Sequence, residues 1–207
     1  MVRKEKIEEL NTYIEELKTI KCIEKIASKP GFLTIEKYQC TLNNGQTIAR
    51  EKLVKGGKDG SAAIILPITK EGDVVLSVES RVFTKETVDV GLPAGYIEEN
   101  ERAIDAAKRE LLEETGYVVK EENMKYLGSF YQDQGCSKAL NEYFLALDCE
   151  LHECQNLDKD EYIKYFICTF DEMLELLQKG YIKGLNSAFA IEKAKKYIYE
   201  RQIDREI

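Results

Sequence analysis

Apolar residues at Ile7, Leu10, Ile14 and Leu17 recur at spacings of three, four and three between charged neighbours. That spacing predicts one apolar stripe on a helix over residues 4–20, and two heptads are too few to define a coiled coil. Over residues 32–53 the pattern shortens to alternation around Asn43-Asn44-Gly45, which predicts two strands joined by a tight turn. Gly56-Gly57-Lys58-Asp59-Gly60 interrupts the pattern and marks a boundary between a small N-terminal region, residues 1–60, and a main domain, residues 61–207. Residues 62–68 form a short apolar run ending near Pro67 that reads as a buried strand, and Glu71-Gly72-Asp73 reads as a turn into a strand at 74–78. Further strands are expected at 126–131, 142–149 and 162–169. A helix is expected over 171–178, with Asp171 as its N-cap and Gly180 just past its end, and another over 187–201, with Ala188, Ile191, Ala194 and Ile198 on one face. The sum is an α+β protein whose strands are mostly antiparallel, with no internal repeat.

Composition narrows the function. Of 207 residues, 43% are hydrophobic and 33% charged, enough apolar material for a real core. Thirty Lys and Arg against 38 Asp and Glu leave a net charge of −8, which counts against a nucleic-acid polymer as partner. No apolar run reaches the roughly 18–20 residues of a membrane span, and the first residues lack the apolar stretch of a signal peptide, so the expectation is a cytoplasmic protein with no membrane partner. The six cysteines, Cys22, Cys40, Cys136, Cys149, Cys154 and Cys168, form no Cys-x-x-Cys pair and read as reduced thiols. His152, the only histidine, lies between Cys149 and Cys154 with no fourth ligand nearby, and reads as an exposed strand-end residue.

The chemistry concentrates in one segment. Leu92-Pro93-Ala94-Gly95 is a turn signal, and Asn100 is placed to cap a helix over residues 101–115, which Gly116 would end in a left-handed conformation. At about 100° per residue, Glu110, Glu113 and Glu114 share a sector beside the apolar Ile104, Ala107 and Leu111, with only Ala103 and Ala106 above them. A solvated acidic face is the ordinary reading of such a helix. Two facts oppose it. The three carboxylates crowd the C-terminal half, where the helix dipole disfavours anions by about 0.3–1 kcal/mol each, and they repel one another. A hard divalent cation would compensate both, and Arg109, four residues before Glu113, is spaced to hold one carboxylate by an ion pair.

At these residues the sequence resembles the Nudix hydrolase family. Gly95, Glu101 and the run Arg109-Glu110-Leu111-Leu112-Glu113-Glu114-Thr115-Gly116-Tyr117 match the box G-x5-E-x7-R-E-U-x-E-E-x-G-U at every fixed position, U being apolar or aromatic. The resemblance implies a β-α-β sandwich, here with a small N-terminal helix and antiparallel-strand extension, and hydrolysis of a nucleoside diphosphate linked to another group. It also implies that Glu110, Glu113 and Glu114 bind Mg2+, or Mn2+, with the Ala94 carbonyl as a further ligand. Gly95, Glu101, Arg109 and Gly116 would then brace the site, with Glu101 pairing to Arg109. The resemblance also makes Glu113 and Glu114 catalytic, and the need for metal follows from charge, because anionic diphosphate oxygens must be neutralised for water to attack.

Leu92-Pro93-Ala94-Gly95-Tyr96-Ile97-Glu98, Val78-Glu79-Ser80-Arg81 and Phe144-Leu145-Ala146 resemble the ADP-ribose pyrophosphatase branch. That implies ADP-ribose or a related nucleoside diphosphate sugar as substrate, Arg81 as a ligand of its phosphates, and a homodimer built by the N-terminal region. Four departures stand out: Glu79 where the branch usually has Gln, Gly91 where it has Glu, Gln134-Gly135 where it has a Pro-Gly turn, and Ala139 where its loop glutamate falls. Glu142, three residues on, is the candidate substitute as catalytic base. A Nudix enzyme for nucleoside triphosphates or another diphosphate-linked substrate, and a ligand-sensing Nudix domain without turnover, are the alternatives. Among Tyr96, Tyr117, Phe130 and Tyr131, at least half are expected to be core rather than base-stacking residues.

Overall fold

The computed structural model describes residues 2–18, 31–56 and 58–206, with side chains to 201. Residues 19 and 20 of the expected first helix, Cys22 and Gly57 lie outside the described residues. In chain order the elements are α1 (Lys4–Leu17), β1 (Leu33–Thr41), β2 (Thr47–Lys55), β3 (Ala62–Thr69), β4 (Val74–Ser80), β5 (Val88–Gly91) and β6 (Ala94–Tyr96). They continue with α2 (Ala103–Thr115), β7 (Tyr117–Val118), β8 (Met124–Tyr131), β9 (Leu140–Leu151), β10 (Ile163–Cys168), α3 (Phe170–Gln178) and α4 (Leu185–Glu206).

An eight-stranded sheet runs β10-β4-β3-β9-β7, with β5 added to β4, β6 to β3 and β8 to β9. All pairings are antiparallel except that of β3 with β9, which is parallel and sits at the centre. Alternation along β3 sorts its side chains between two layers. Ala63 and Ile65 join Val75, Phe144 and Ala146 under α2, against its Ala106, Ala107 and Leu111. Ile64 and Leu66 turn the other way, joining Leu76, Leu145 and Phe166 beneath α3 and α4. Each fully buried aliphatic side chain there stabilises the fold by about 1.5–3 kcal/mol. Pro67 lies inside β3 rather than at its end, where the register against β9 shifts between Pro67 and Thr69.

The stretch before Ala62 divides in two. α1 packs on the main core through Leu10 and Leu17, with Val2 before it also buried there and Tyr13 edge-on to Phe166. The β1–β2 hairpin stands apart as its own two-stranded sheet, and Leu33, Ile35 and Tyr38 on β1 are exposed. It meets the rest through Leu53, whose amide donates to the Cys136 carbonyl, and through Phe32, whose ring lies 6.1 Å from that of Tyr96.

Three local expectations are corrected. α2 begins at Ala103 with Arg102 as N-cap, not at Glu101 with Asn100. Asn100 instead takes a left-handed φ of +63°, which asparagine tolerates, in a turn where the Glu101 amide donates to the Glu98 carbonyl. The cap of α3 is Thr169, not Asp171: Thr169 Oγ1 accepts from the Glu172 amide and the Glu172 carboxylate accepts from the Thr169 amide. A Thr-x-x-Glu box satisfies two orphan groups at once, more than Asp171 could. On α4 the buried face is Ala190, Ile191, Ala194 and Ile198, with Ala188 half-buried at its side. No described helix is long and apolar enough to cross a membrane.

Candidate active site

Strand β6 is the strap on which the site is built. Its Ala94 and Gly95 pair with Ile64 and Ala63 of β3, and α2 crosses over it. The Glu110 carboxylate lies so close to Gly95 that a Cβ there would stand 1.9 Å from its Oε1, so only glycine fits. The Glu114 carboxylate accepts from the Ala94 amide. At the far end of α2, Gly116 takes φ +76°, and a Cβ would collide with the Glu153 carbonyl, which makes glycine obligatory there as well.

Arg109 binds several acids at once. Its Nε and Nη2 donate to the two oxygens of Glu101 at 2.9 and 3.1 Å, its Nη1 to Glu110 Oε1 at 2.6 Å and Glu113 Oε2 at 3.0 Å, and Nη2 also to the Tyr96 carbonyl at 3.0 Å. The guanidinium holds the Glu101 carboxyl below its usual range. Glu110 is raised, because burial outweighs Arg109.

Glu114 has no such cation. It is 4% exposed, and its Oε2 is buried without a hydrogen-bond partner. Burial first, then repulsion from Glu79 and Glu110, pushes its carboxyl well above 4.5. The helical projection placed the three glutamates on one face, but two of them, Glu110 and Glu114, are buried rather than solvated.

Glu114 opens into a cleft of about 270 Å3. Its walls include Ser77, Glu79 and Arg81 from the end of β4, Asp89 of β5, Ala94, Gln132, and Asn186 and Ser187 at the start of α4. Glu79 and Asp89 stand directly opposite on neighbouring strands. Both are raised, chiefly by burial, Glu79 to about 7. Arg81 Nη2 pairs with Glu79 Oε2 at 2.7 Å.

Glu142 lines a different concavity, with Glu101, Tyr131, Lys58 and Lys138. Its Oε2 accepts from Tyr126 Oη at 2.7 Å and Ser129 Oγ at 2.6 Å. Ala139 is fully buried. Tyr117 is buried edge-on to Tyr165, whereas Tyr96, Phe130 and Tyr131 are exposed, Phe130 with its ring against Tyr143 and Phe189, so one of the four aromatics is core where at least two were expected. His152 is exposed, and the described cysteines are free. Sequence reasoning did not find Asp89, Asn186, Ser187 or the Phe32 ring beside Tyr96. None carries a motif, and each is brought in only by strand register or by the docking of α4 and the hairpin.

Among the described residues, no three acidic, histidine or cysteine side chains converge around one point. The guanidinium of Arg109 stands between Glu110 and Glu113, and Glu114 faces the cleft. The donors nonetheless suit a hard divalent cation, being carboxylate oxygens, one of them buried and unpartnered.

A family model of the NUDIX domain matches residues 58–187, and the chain belongs to that family. Within it, the chain resembles ADP-ribose pyrophosphatases: that of Bacillus subtilis (strain 168) is 30% identical over 178 residues, covering 86% of this chain and 91% of that protein. The methanol dehydrogenase activator of Bacillus methanolicus is equally similar, 30% over 178 residues with the same coverage. The crystal structure of an ADP compounds hydrolase superposes with a TM-score of 0.70 over 86% of this chain and 92% of that one, at 18% identity, a likeness of fold.

Proposed function

We propose that this Nudix hydrolase cleaves the diphosphate linkage of ADP-ribose or a related nucleoside diphosphate sugar, releasing a nucleoside monophosphate and a sugar phosphate. The observation that carries the reading is the buried, unpartnered Glu114 Oε2 opening into the cleft that Arg81 also lines. One side of that cleft calls for a cation and the other offers one to an anion. In this reading Glu110, Glu113, Glu114 and the Ala94 carbonyl would hold Mg2+ or Mn2+. Bound there, the metal supplies charge neutralisation of the diphosphate and acidification of water.

The chain's own residues do the rest. Arg81 grips phosphate oxygens, since a guanidinium offers them paired donors. Arg109, fixed by Glu101, keeps Glu110 and Glu113 in place, and Gly95 gives Glu110 its room. We assign the proton of the attacking water to a box carboxylate, Glu113, which is half-buried and one residue from Glu114 on the same helix. Glu142 lines the other concavity with its carboxylate already accepting two hydroxyls, which supports leaving it out of the transfer. We also assign the chain a homodimer through the hairpin, whose exposed Leu33, Ile35 and Tyr38 suit a partner copy; a monomer by light scattering at micromolar concentration would refute that.

The test is a substrate panel of ADP-ribose, other nucleoside diphosphate sugars and nucleoside triphosphates with Mg2+, Mn2+ or EDTA, read by the phosphorylated products. AMP and ribose 5-phosphate from ADP-ribose, formed with metal and absent in EDTA, is the expected result. Cleavage of triphosphates alone would overturn the substrate, and full turnover in EDTA would overturn the mechanism.

A further inference from the structure

Arg81 already has an acidic partner. Its Nη2 is engaged by Glu79 at 2.7 Å, and the Glu79 side chain is 17% exposed while that of Arg81 is 55% exposed. Two residues apart along β4 and its end, the pair shares one face of the strand, with Asp89 directly across from Glu79. Two carboxylates opposite one another on neighbouring strands repel. Arg81 is the cation that acts on both, lowering Glu79 and Asp89, and Lys183 also lowers Asp89. Glu114 and Glu161 add further negative charge around the same point. The cleft is therefore lined by three carboxylates, Glu79, Asp89 and Glu114, and its lining contains one positive residue, Arg81.

We propose that Glu79 is an internal competitor for Arg81, a positioning residue that keeps the guanidinium occupied until a diphosphate displaces it and so sets the anion affinity of the cleft. This rests on the assignment of Arg81 as the phosphate ligand. A substrate diphosphate has two phosphate groups and brings the linkage that the site acts on, so it competes for Arg81 more strongly than a single phosphate does. The cost of displacing Glu79 is the same for every anion that takes Arg81, so the competitor lowers the affinity for substrate and for phosphorylated products by one common factor. Glutamine in place of Glu79 would keep the shape and remove the ion pair, since an amide carries no charge and its oxygen is a weaker acceptor for the guanidinium.

The experiment is calorimetric binding of ADP, without metal and without turnover, to the wild type, Glu79→Gln, Arg81→Ala and the double variant. Removing a facing like charge from a partly buried anion site is expected to tighten ADP binding about tenfold. The double variant should bind no better than Arg81→Ala, because the gain acts through the guanidinium. In steady-state hydrolysis the gain should appear as a lower KM rather than a higher kcat. Glu79→Gln that binds ADP no tighter than wild type, or a gain that persists without Arg81, would overturn the proposal. Because ADP is not turned over, the result stands whether or not the wild type hydrolyses ADP-ribose, which separates failure of this inference from failure of the proposed reaction.

Discussion

Glu110 and Glu114 are one turn apart on the same helix, both are buried, and the protein treats them oppositely. Glu110 shares Arg109 with Glu101 and Glu113, a guanidinium whose every nitrogen has a carboxylate or carbonyl partner. Glu114 has the Ala94 amide for one contact and nothing for Oε2. A buried carboxylate so short of partners is costly to keep ionised, which is why its titration is pushed upwards. The outer half of the cluster is thus complete as it stands. The inner half is left with one buried unpartnered oxygen, the departure from local rules that the proposed metal would compensate.

Glu114→Gln should break this contrast most. With ligand charge lost at the centre of the cleft, kcat is expected to fall by about a thousandfold in a Mg2+ assay, at the upper end for one electrostatic contact. The same change should raise the melting temperature of the metal-free protein. Because the folded carboxyl is raised above its usual 4.5, the folded state binds more protons than the unfolded one above that pH. Its stabilising contribution is therefore full below 4.5 and lost as pH rises towards the folded value, so the metal-free wild type should lose stability from pH 5 to 8 more steeply than Glu114→Gln. Differential scanning calorimetry in EDTA decides this, and equal slopes would mean that Glu114 is not the strained group. Glu113→Gln comes next: its carboxylate is half-buried and already shares Arg109, so a fall in kcat of about a hundredfold with little change in melting temperature is expected. Near-wild-type rates would remove Glu113 from the reaction. Smallest is Glu142→Gln, expected to change kcat less than about threefold because that side chain belongs to the other concavity. A hundredfold drop in kcat at constant KM would instead make Glu142 the base.

The sequence showed the glutamate helix to within two residues of its start, and Gly116 as its left-handed end, because box, periodicity and cap all point the same way there. It did not show that Asn100 would turn left-handed, since an asparagine before an acidic run reads equally well as a cap. β5 and β6 escaped notice because four and three residues are too short for an alternation to register, and Leu92-Pro93 between them imitates a turn. The burial of Glu114 was equally hidden: a helical projection gives the face a residue occupies and not what lies on it, and the covering element was one of those short strands. Arg81 was visible as a residue but its engagement was not, because the Glu79–Asp89 facing is a matter of cross-strand register.

The parallel seam at the centre of the sheet has a consequence in time. Ala63 on β3 faces Gly95 on one side and Glu142 on the other, with the whole glutamate helix inside the loop that the second pairing closes. Contacts so distant along the chain form slowly compared with the turns of a helix. The wall formed by Asn186 and Ser187 comes from α4, later still in the chain. During synthesis, which proceeds from the N-terminus, β4, β5, β6 and α2 all emerge before α4, whose Asn186 and Ser187 close one wall of the cleft. The nascent chain therefore holds the acids and their strap early and the α4 wall late, so the cleft is open on that side until the last helix docks.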